Sequence, residues 1–213
     1  LAMGKDLKLY LSVGDGGANF SFRCTQNLAQ ELPTAAEVAA KDFTKYHGKI
    51  LRINLDGSIP ADNPVLAGAR SHIFSYGHRN PQGLSVSPDG RLYESEHGPS
   101  SDDEVNLIEA GQNYGWPNVA GFKDDKSYAY GNWSKSSPQP CASLLPRSSD
   151  DIPASVPTVK ETAWNGDFRP PLKSFYAVDD LAAFRAGGAG NATIAPGGLE
   201  IYTAENGLPG WAN

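Results

Sequence analysis

Hydrophobic and polar residues alternate with a period of two through residues 48–55, from Gly48 to Leu55, the cleanest strand pattern in the chain. That period turns one face of an extended segment toward a core. Asp56-Gly57 follows it as a hairpin-turn signal. Residues 72–76 predict another strand, and residues 84–87 and 91–95 predict a pair around the turn Pro88-Asp89-Gly90. A further strand is predicted over 104–108. At the start, residues 1–3 and 7–13 alternate around Gly4-Lys5-Asp6, a hairpin that ends in Gly14-Asp15-Gly16-Gly17. Helical periodicity is scarce. The one helix predicted is short, with Thr34 as its N-cap and Glu37 three residues on. Residues 134–157 are Ser/Pro-rich and predict a long surface loop; 187–190 read as flexible, and 198–203 as a last strand.

The chain carries an internal repeat. A shift of 83 residues brings Leu1 onto Leu84, Met3 onto Val86, Asp6 onto Asp89, Lys8 onto Arg91, Leu9 onto Leu92, Tyr10 onto Tyr93 and Ser12 onto Ser95. Two unrelated hairpins built from common hairpin residues are the alternative. Propeller blades run on the order of 40–50 residues, so the shift equals about two blades. On the repeat reading, Asp15 and Gly98-Pro99 occupy equivalent ends of inner strands and face the central axis, where propellers bind ligands.

Composition sharpens the fold class. With 23 glycines and 16 prolines in 213 residues, the chain reads as turn-rich and all-β, treated as one domain over 1–213. A net charge of −6 disfavours nucleic acid as a partner. There is no apolar run of membrane-spanning length, so no membrane span is expected. Cys24 and Cys141 either form one disulfide or stay as two thiols. No signal peptide is visible, and the first residues read as the interior of a strand pair, so a truncated chain is expected.

The chemistry-bearing residues concentrate between Tyr76 and Ile108. Arg79-Asn80 sits at a strand end and offers a planar cation beside an amide, which suits an anionic, carbonyl-bearing ligand; a surface ion pair is the alternative. Asp102, Asp103, Glu104, Asp124, Asp125 and Glu161 lie near Gly, Pro and Asn, as hard-cation ligands do, yet their spacing matches no EF-hand and solvated acidic loops give the same pattern. His47, His72, His78 and His97 are candidate bases without metal-ligand spacing. Asp15 stands in a Gly-rich turn, a turn signal first. No P-loop, nucleophile elbow or dinucleotide fingerprint is present.

Residues 48–60, Gly77-His78-Arg79-Asn80-Pro81-Gln82-Gly83-Leu84, Ser95-Glu96-His97-Gly98-Pro99, Asp102-Asp103-Glu104, residues 113–121 and Pro170-Pro171-Leu172-Lys173 together resemble the soluble pyrroloquinoline quinone (PQQ)-dependent glucose/sorbosone and aldose sugar dehydrogenases. The resemblance covers about residues 1–180, and 181–213 diverge. It implies part of a six-bladed β-propeller with four-stranded antiparallel blades, about half of the family fold. It implies oxidation of an aldose at its anomeric carbon to the lactone, with hydride passing to Ca²⁺-activated PQQ and then to an external electron acceptor, in the periplasm or outside the cell. Arg79 and Asn80 would contact PQQ, Arg79 also stabilising charge on the reduced quinone. The backbone carbonyls of Gly98 and Pro99 would bind the activating Ca²⁺. A second, structural Ca²⁺ would use Glu104, Asp124 and Glu161 with backbone oxygens of Tyr114, Ala120 and Phe122. Asp15 matches the aspartate that supports the family's catalytic histidine.

The family's catalytic histidine would fall upstream of Leu1, and the lysine and arginines that grip the PQQ carboxylates beyond Asn213. His97 stands where the glucose enzymes often have Gln. Missing blades or a second copy of the chain would then cover the open sheet edges. Two other readings remain: a non-catalytic propeller module that binds a protein partner, and a Ca²⁺-dependent lactonase, which would need side-chain ligands around an axial metal.

Overall fold

The structure, a computed structural model, describes residues 1–19, 23–144, 152–189 and 192–203. Two four-stranded antiparallel sheets carry the chain. The first runs in the order β1 (Ala2–Met3), β2 (Leu9–Val13), β3 (Lys49–Ile53) and, after a small two-stranded excursion of β4 (Val65–Leu66) and β5 (Ala69–Arg70), β6 (Ile73–Tyr76). The second repeats the plan with β7 (Pro81–Val86), β8 (Leu92–Glu96) and β9 (Asp103–Ile108). It then makes an excursion through β10 (Tyr130–Gly131) and β11 (Thr158–Val159) and ends in β12 (Lys173–Phe175).

The repeat read from the sequence is a repeat of register. Met3 pairs with Leu9, as Val86 pairs with Leu92; Ala2 pairs with Tyr10, as Ser85 pairs with Tyr93. Leu9 in turn pairs with Ile53, and Leu92 with Ile108. The same residue shift thus carries one hairpin onto the other, and each hairpin has gained its third strand at the same place. Asp15 and Gly98 follow β2 and β8, each second in its sheet.

Period-two alternation decides where the core lies. On β3, Ile50 points into a cluster with Tyr10, Leu92, Ile108 and Tyr114, which joins the two sheets, with Phe74, Leu84 and Val86 at its margin. Its neighbour Leu51 points the other way, into a cluster with Tyr46 and Ile73. Tyr10 meets Phe74 edge-on, with centroids 5.3 Å apart. The expected helix forms as α1 (Ala35–Ala39), with the reciprocal Thr34–Glu37 capping box. A second short helix, α2 (Leu181–Phe184), makes the fold mostly β rather than wholly so.

Two local expectations change. Asp56-Gly57 does form a tight turn, with Gly57 N–H donating to Asn54 O and Asn54 N–H to Ser58 O. It makes no hairpin, because β3 takes β2 and β6 as partners. The chain beyond the turn is instead drawn back under Arg52, whose guanidinium binds Asp62 and Asn63. Residues 198–203 form no strand. That segment crosses the second sheet where Gly83 has no side chain: a Cβ there would lie 2.5 Å from Leu199 N. In and just before the Ser/Pro-rich stretch, Trp133, Cys141, Leu144 and Val156 form a small buried cluster, closed by a Cys24–Cys141 disulfide.

Candidate functional site

The site is assembled where β2 and β8 end beside the turn between β6 and β7. After β2, positive φ at Gly16 and Gly17 folds the chain sharply. The turn is closed by the Asp15 carboxylate, which accepts from Gly17 N–H (2.8 Å). Its other oxygen accepts from Asn27 Nδ2 (2.9 Å) and from Trp116 Nε1 (2.7 Å). Asp15 N–H donates to Arg79 O (2.8 Å). Asp15 is therefore buried with each oxygen occupied, a fixed acceptor rather than a mobile one.

Arg79 stands over the Trp116 ring, 5.6 Å from its centroid. One guanidinium nitrogen donates to His97 O (3.0 Å), and among the described residues Arg79 makes no ion pair. Asn80 follows, its carbonyl accepting from His97 N–H (3.2 Å). Together with Val13, Asp15 and His47, the pair lines a cleft of about 470 Å³. A guanidinium with unused donors in an open cleft is the arrangement that an anionic or carbonyl oxygen satisfies.

The Gly98-Pro99 turn lies next to this cleft. Gly98 N–H donates to Asp103 Oδ1 (3.0 Å). A Cβ on Gly98 would lie 1.7 Å from Ser101 O, so only glycine fits. No backbone N–H of the described residues donates to the Gly98 or Pro99 carbonyl, which leaves hard oxygens of the kind Ca²⁺ takes. Pro99 also lines a cavity of about 300 Å³ with Ser101, Trp116 and Tyr128. The other Asp103 oxygen accepts from the Thr193 hydroxyl and from Ile194 and Ala195 N–H, so this turn and residues 193–195 are stapled together.

The second expected cation site is partly gathered. Glu161 is fully buried and accepts from the N–H groups of Ala120 (2.9 Å), Asp124 (3.3 Å) and Asp125 (2.9 Å). Glu104 accepts from Gly121 N–H (2.6 Å) and Asn106 Nδ2 (3.0 Å). Burial, then repulsion from Asp124, pushes the Glu161 carboxyl up to about 7. Burial also raises Glu104 well above the usual range, and Asp102 up to about 6. Among the described residues no cationic side chain pairs with these buried carboxylates, a charge balance that fits a hard cation. The Asp124 carboxylate lies at the surface, accepting from Lys126 N–H. Phe122 is exposed. Tyr114 is buried against His78, with centroids 4.6 Å apart.

Trp116 and Asn27, to which the sequence assigned no role, complete the picture together with His47, one of the candidate bases. Trp116 and Asn27 hold Asp15, and His47 forms one wall of the cleft. Their roles depend on contacts across 101 and 12 residues of sequence, which no local pattern signals. His78, Glu94 and Glu96 bring ligand-type atoms within 4.8 Å of one another, all buried. Glu94, Glu96 and Glu104 share one electropositive partner, the Asn106 amide nitrogen, at 3.0, 3.5 and 3.0 Å. Burial and the charge on Glu96 raise the Glu94 carboxyl well above its ordinary range.

The glucose/sorbosone dehydrogenase family model matches residues 1–143. Quinoprotein glucose dehydrogenase B of Acinetobacter calcoaceticus is 45% identical over 222 residues, covering 100% of this chain and 46% of that protein. Aldose sugar dehydrogenase YliI of Escherichia coli (strain K12) is 46% identical over 93 residues, covering 39% of this chain and 25% of that one. The structure of the PQQ-bound form of aldose sugar dehydrogenase from Streptomyces coelicolor is 38% identical, with a TM-score of 0.43 over 56% of this chain and 29% of that one. The chain thus spans less than half the length of the relatives it matches.

Proposed function

The chain belongs to the glucose/sorbosone dehydrogenase family, and from that premise we propose that it contributes the Arg79–Asn80 and Gly98–Pro99 portion of a PQQ- and Ca²⁺-dependent aldose dehydrogenase site. The observation that carries this reading is the stitching of the two pairs into one wall: Arg79 reaches His97 O, and His97 N–H reaches Asn80 O. Among the described residues, a cation with free donors and a turn whose two carbonyls accept no backbone N–H then stand side by side. Arg79 and Asn80 would hold PQQ there and the Gly98 and Pro99 carbonyls Ca²⁺, supplying a polarised quinone as the hydride acceptor for oxidation of an aldose at its anomeric carbon.

The chain's own residues bind and orient. Arg79 offers parallel N–H donors to anionic and carbonyl oxygens of the quinone. The Asn80 amide adds a neutral donor and acceptor. The carbonyls of Gly98 and Pro99 supply two of the oxygens a Ca²⁺ ion needs. Asp15, held by Trp116 and Asn27, presents a fixed negative charge at the cleft wall and orients a base that bonds to it. Glu104 and Glu161, with Asp124 and the carbonyls of Tyr114, Ala120 and Phe122, are the proposed holders of a structural Ca²⁺. The family fold would make the two sheets blades of a six-bladed propeller. The disulfide supports an oxidising location such as the periplasm. No helix among the described residues is long and apolar enough to cross a membrane.

The test is a PQQ titration of the purified chain with and without Ca²⁺, read by absorbance and then by glucose-dependent dye reduction. Ca²⁺-dependent PQQ binding is expected. Turnover would mean that a second chain or further residues complete the site. Failure to bind PQQ at any Ca²⁺ concentration would overturn the reading.

A further inference from the structure

The Arg79–Asn80 pair is aimed by its backbone, and its backbone is held by one buried side chain. Glu96 ends β8 and is 3% exposed. Its Oε2 accepts from Arg79 N–H at 2.6 Å and from Asn80 N–H at 3.2 Å. Two consecutive N–H groups converging on one carboxylate oxygen fix two peptide planes at once, and charge strengthens both bonds. The opposite edges of the same residues are fixed too, since Arg79 O accepts from Asp15 N–H and Asn80 O from His97 N–H.

The carboxylate itself has little freedom. Its Oε1 lies 3.5 Å from His78 Nδ1 and 3.5 Å from Asn106 Nδ2. His78 is fully buried, held at Nε2 by the Ser75 hydroxyl (2.9 Å) and stacked on Tyr114. We infer that Glu96 is a positioning residue of the cofactor site, setting the backbone from which Arg79 and Asn80 address the quinone. It touches neither cofactor nor substrate in this role. The inference rests on the PQQ reading above.

The geometry separates two substitutions. Glu96→Ala removes the oxygen that both N–H groups share and leaves two partly buried N–H groups without it. Glu96→Gln keeps one carbonyl oxygen for them and turns an amide N–H toward His78 Nδ1, which has no hydrogen-bond partner among the described residues. The experiment combines amide hydrogen exchange at Arg79 and Asn80, thermal melting, and PQQ titration in Ca²⁺. For E96A, exchange at the two amides should accelerate and PQQ affinity should fall ~10–100-fold, the scale of a catalytic group displaced by about 1 Å. E96Q, which offers the two amides a neutral oxygen in place of a charged one, should show a smaller but still measurable rise in exchange and loss of affinity.

A merely structural role predicts something else: a lower melting temperature with unchanged PQQ affinity in the folded variant, and that result overturns the inference. So does E96A with unaltered exchange at the two amides. If E96A does not fold, E96Q decides. Faster exchange at the two amides with a measurably weaker PQQ complex supports positioning, and parent-like values in both refute it. Failure of the parent chain to bind PQQ removes the quinone reading and the inference with it. Binding by the parent with equal binding by E96A removes only the positioning role.

Discussion

Lys49 puts a cation in the interior of a sheet. It is fully buried on β3, and its ammonium donates to three backbone carbonyls, Leu28 O, Ala29 O and His47 O, at 2.8–2.9 Å. Three acceptors match the three donors of an ammonium. Burial nevertheless pushes its pKa down to about 7. The folded value lies below the unfolded one, so between about pH 7 and the usual lysine range the unfolded chain binds more protons. The cost of the buried charge is full below pH 7 and is lifted as pH rises through that window. Lys49→Met would strand three carbonyls and cost at least ~2 kcal/mol. The stability difference between parent and variant should grow from pH 7 to pH 10 in urea titrations; a flat difference would count against this account. Nothing local to Lys49 in the sequence announces the role. Its period-two position was legible, but the carbonyls it serves arrive from residues 28, 29 and 47 only in the fold.

At the scale of elements, the turn after β8 joins the architecture to the proposed chemistry. Gly98 packs so closely on Ser101 and Asp102 that a methyl group would force the turn open. Gly98→Ala should therefore abolish the Ca²⁺-dependent part of PQQ binding while leaving the far-UV signal of the sheets intact. A G98A chain whose PQQ affinity still rises with Ca²⁺ would remove this turn from the metal site. The hairpins, α1 with its capping box, and the register repeat were all visible in the sequence, because alternation and turn residues are local properties. What failed had a non-local cause. The Asp56-Gly57 turn formed, yet the Arg52 network took the following chain away from the sheet. Residues 198–203 alternate like a strand but lie across Gly83 without joining the ladder. In the same way, the cation–amide pair at 79–80 could be read directly, whereas Trp116, Asn27 and Glu96 could be read only once the sheets had brought them to it.

At the scale of the molecule, the two sheets share the cluster around Ile50, and a smaller cluster around Trp133 is tied on by a covalent bond. Cys24 and Cys141 close a loop across a sequence separation of 117 residues. In the chain-entropy account, a cross-link of that span stabilises by roughly 4–5 kcal/mol, acting through the unfolded ensemble. Its position also matters in the folded state. Cys141 packs with Trp133, Leu144 and Val156, far in sequence from the sheets' shared cluster of Tyr10, Ile50, Leu92 and Ile108. Cys24 begins the segment that supplies Asn27 to Asp15, Ala29 O to Lys49 and Gln30 to Asn113. Replacing both cysteines by serine should thus act in two ways. The melting temperature should fall by roughly 10–20 °C, given ~2–4 °C per kcal/mol for a domain of this size. Hydrogen exchange should rise first in residues 23–31 and around Trp133 and Val156, while β2, β3, β8 and β9 stay protected, since their shared core contains neither cysteine. Uniform loss of protection across both sheets would instead mean that the two cores unfold as one unit, and that the disulfide holds the entire molecule rather than the loop behind the cleft.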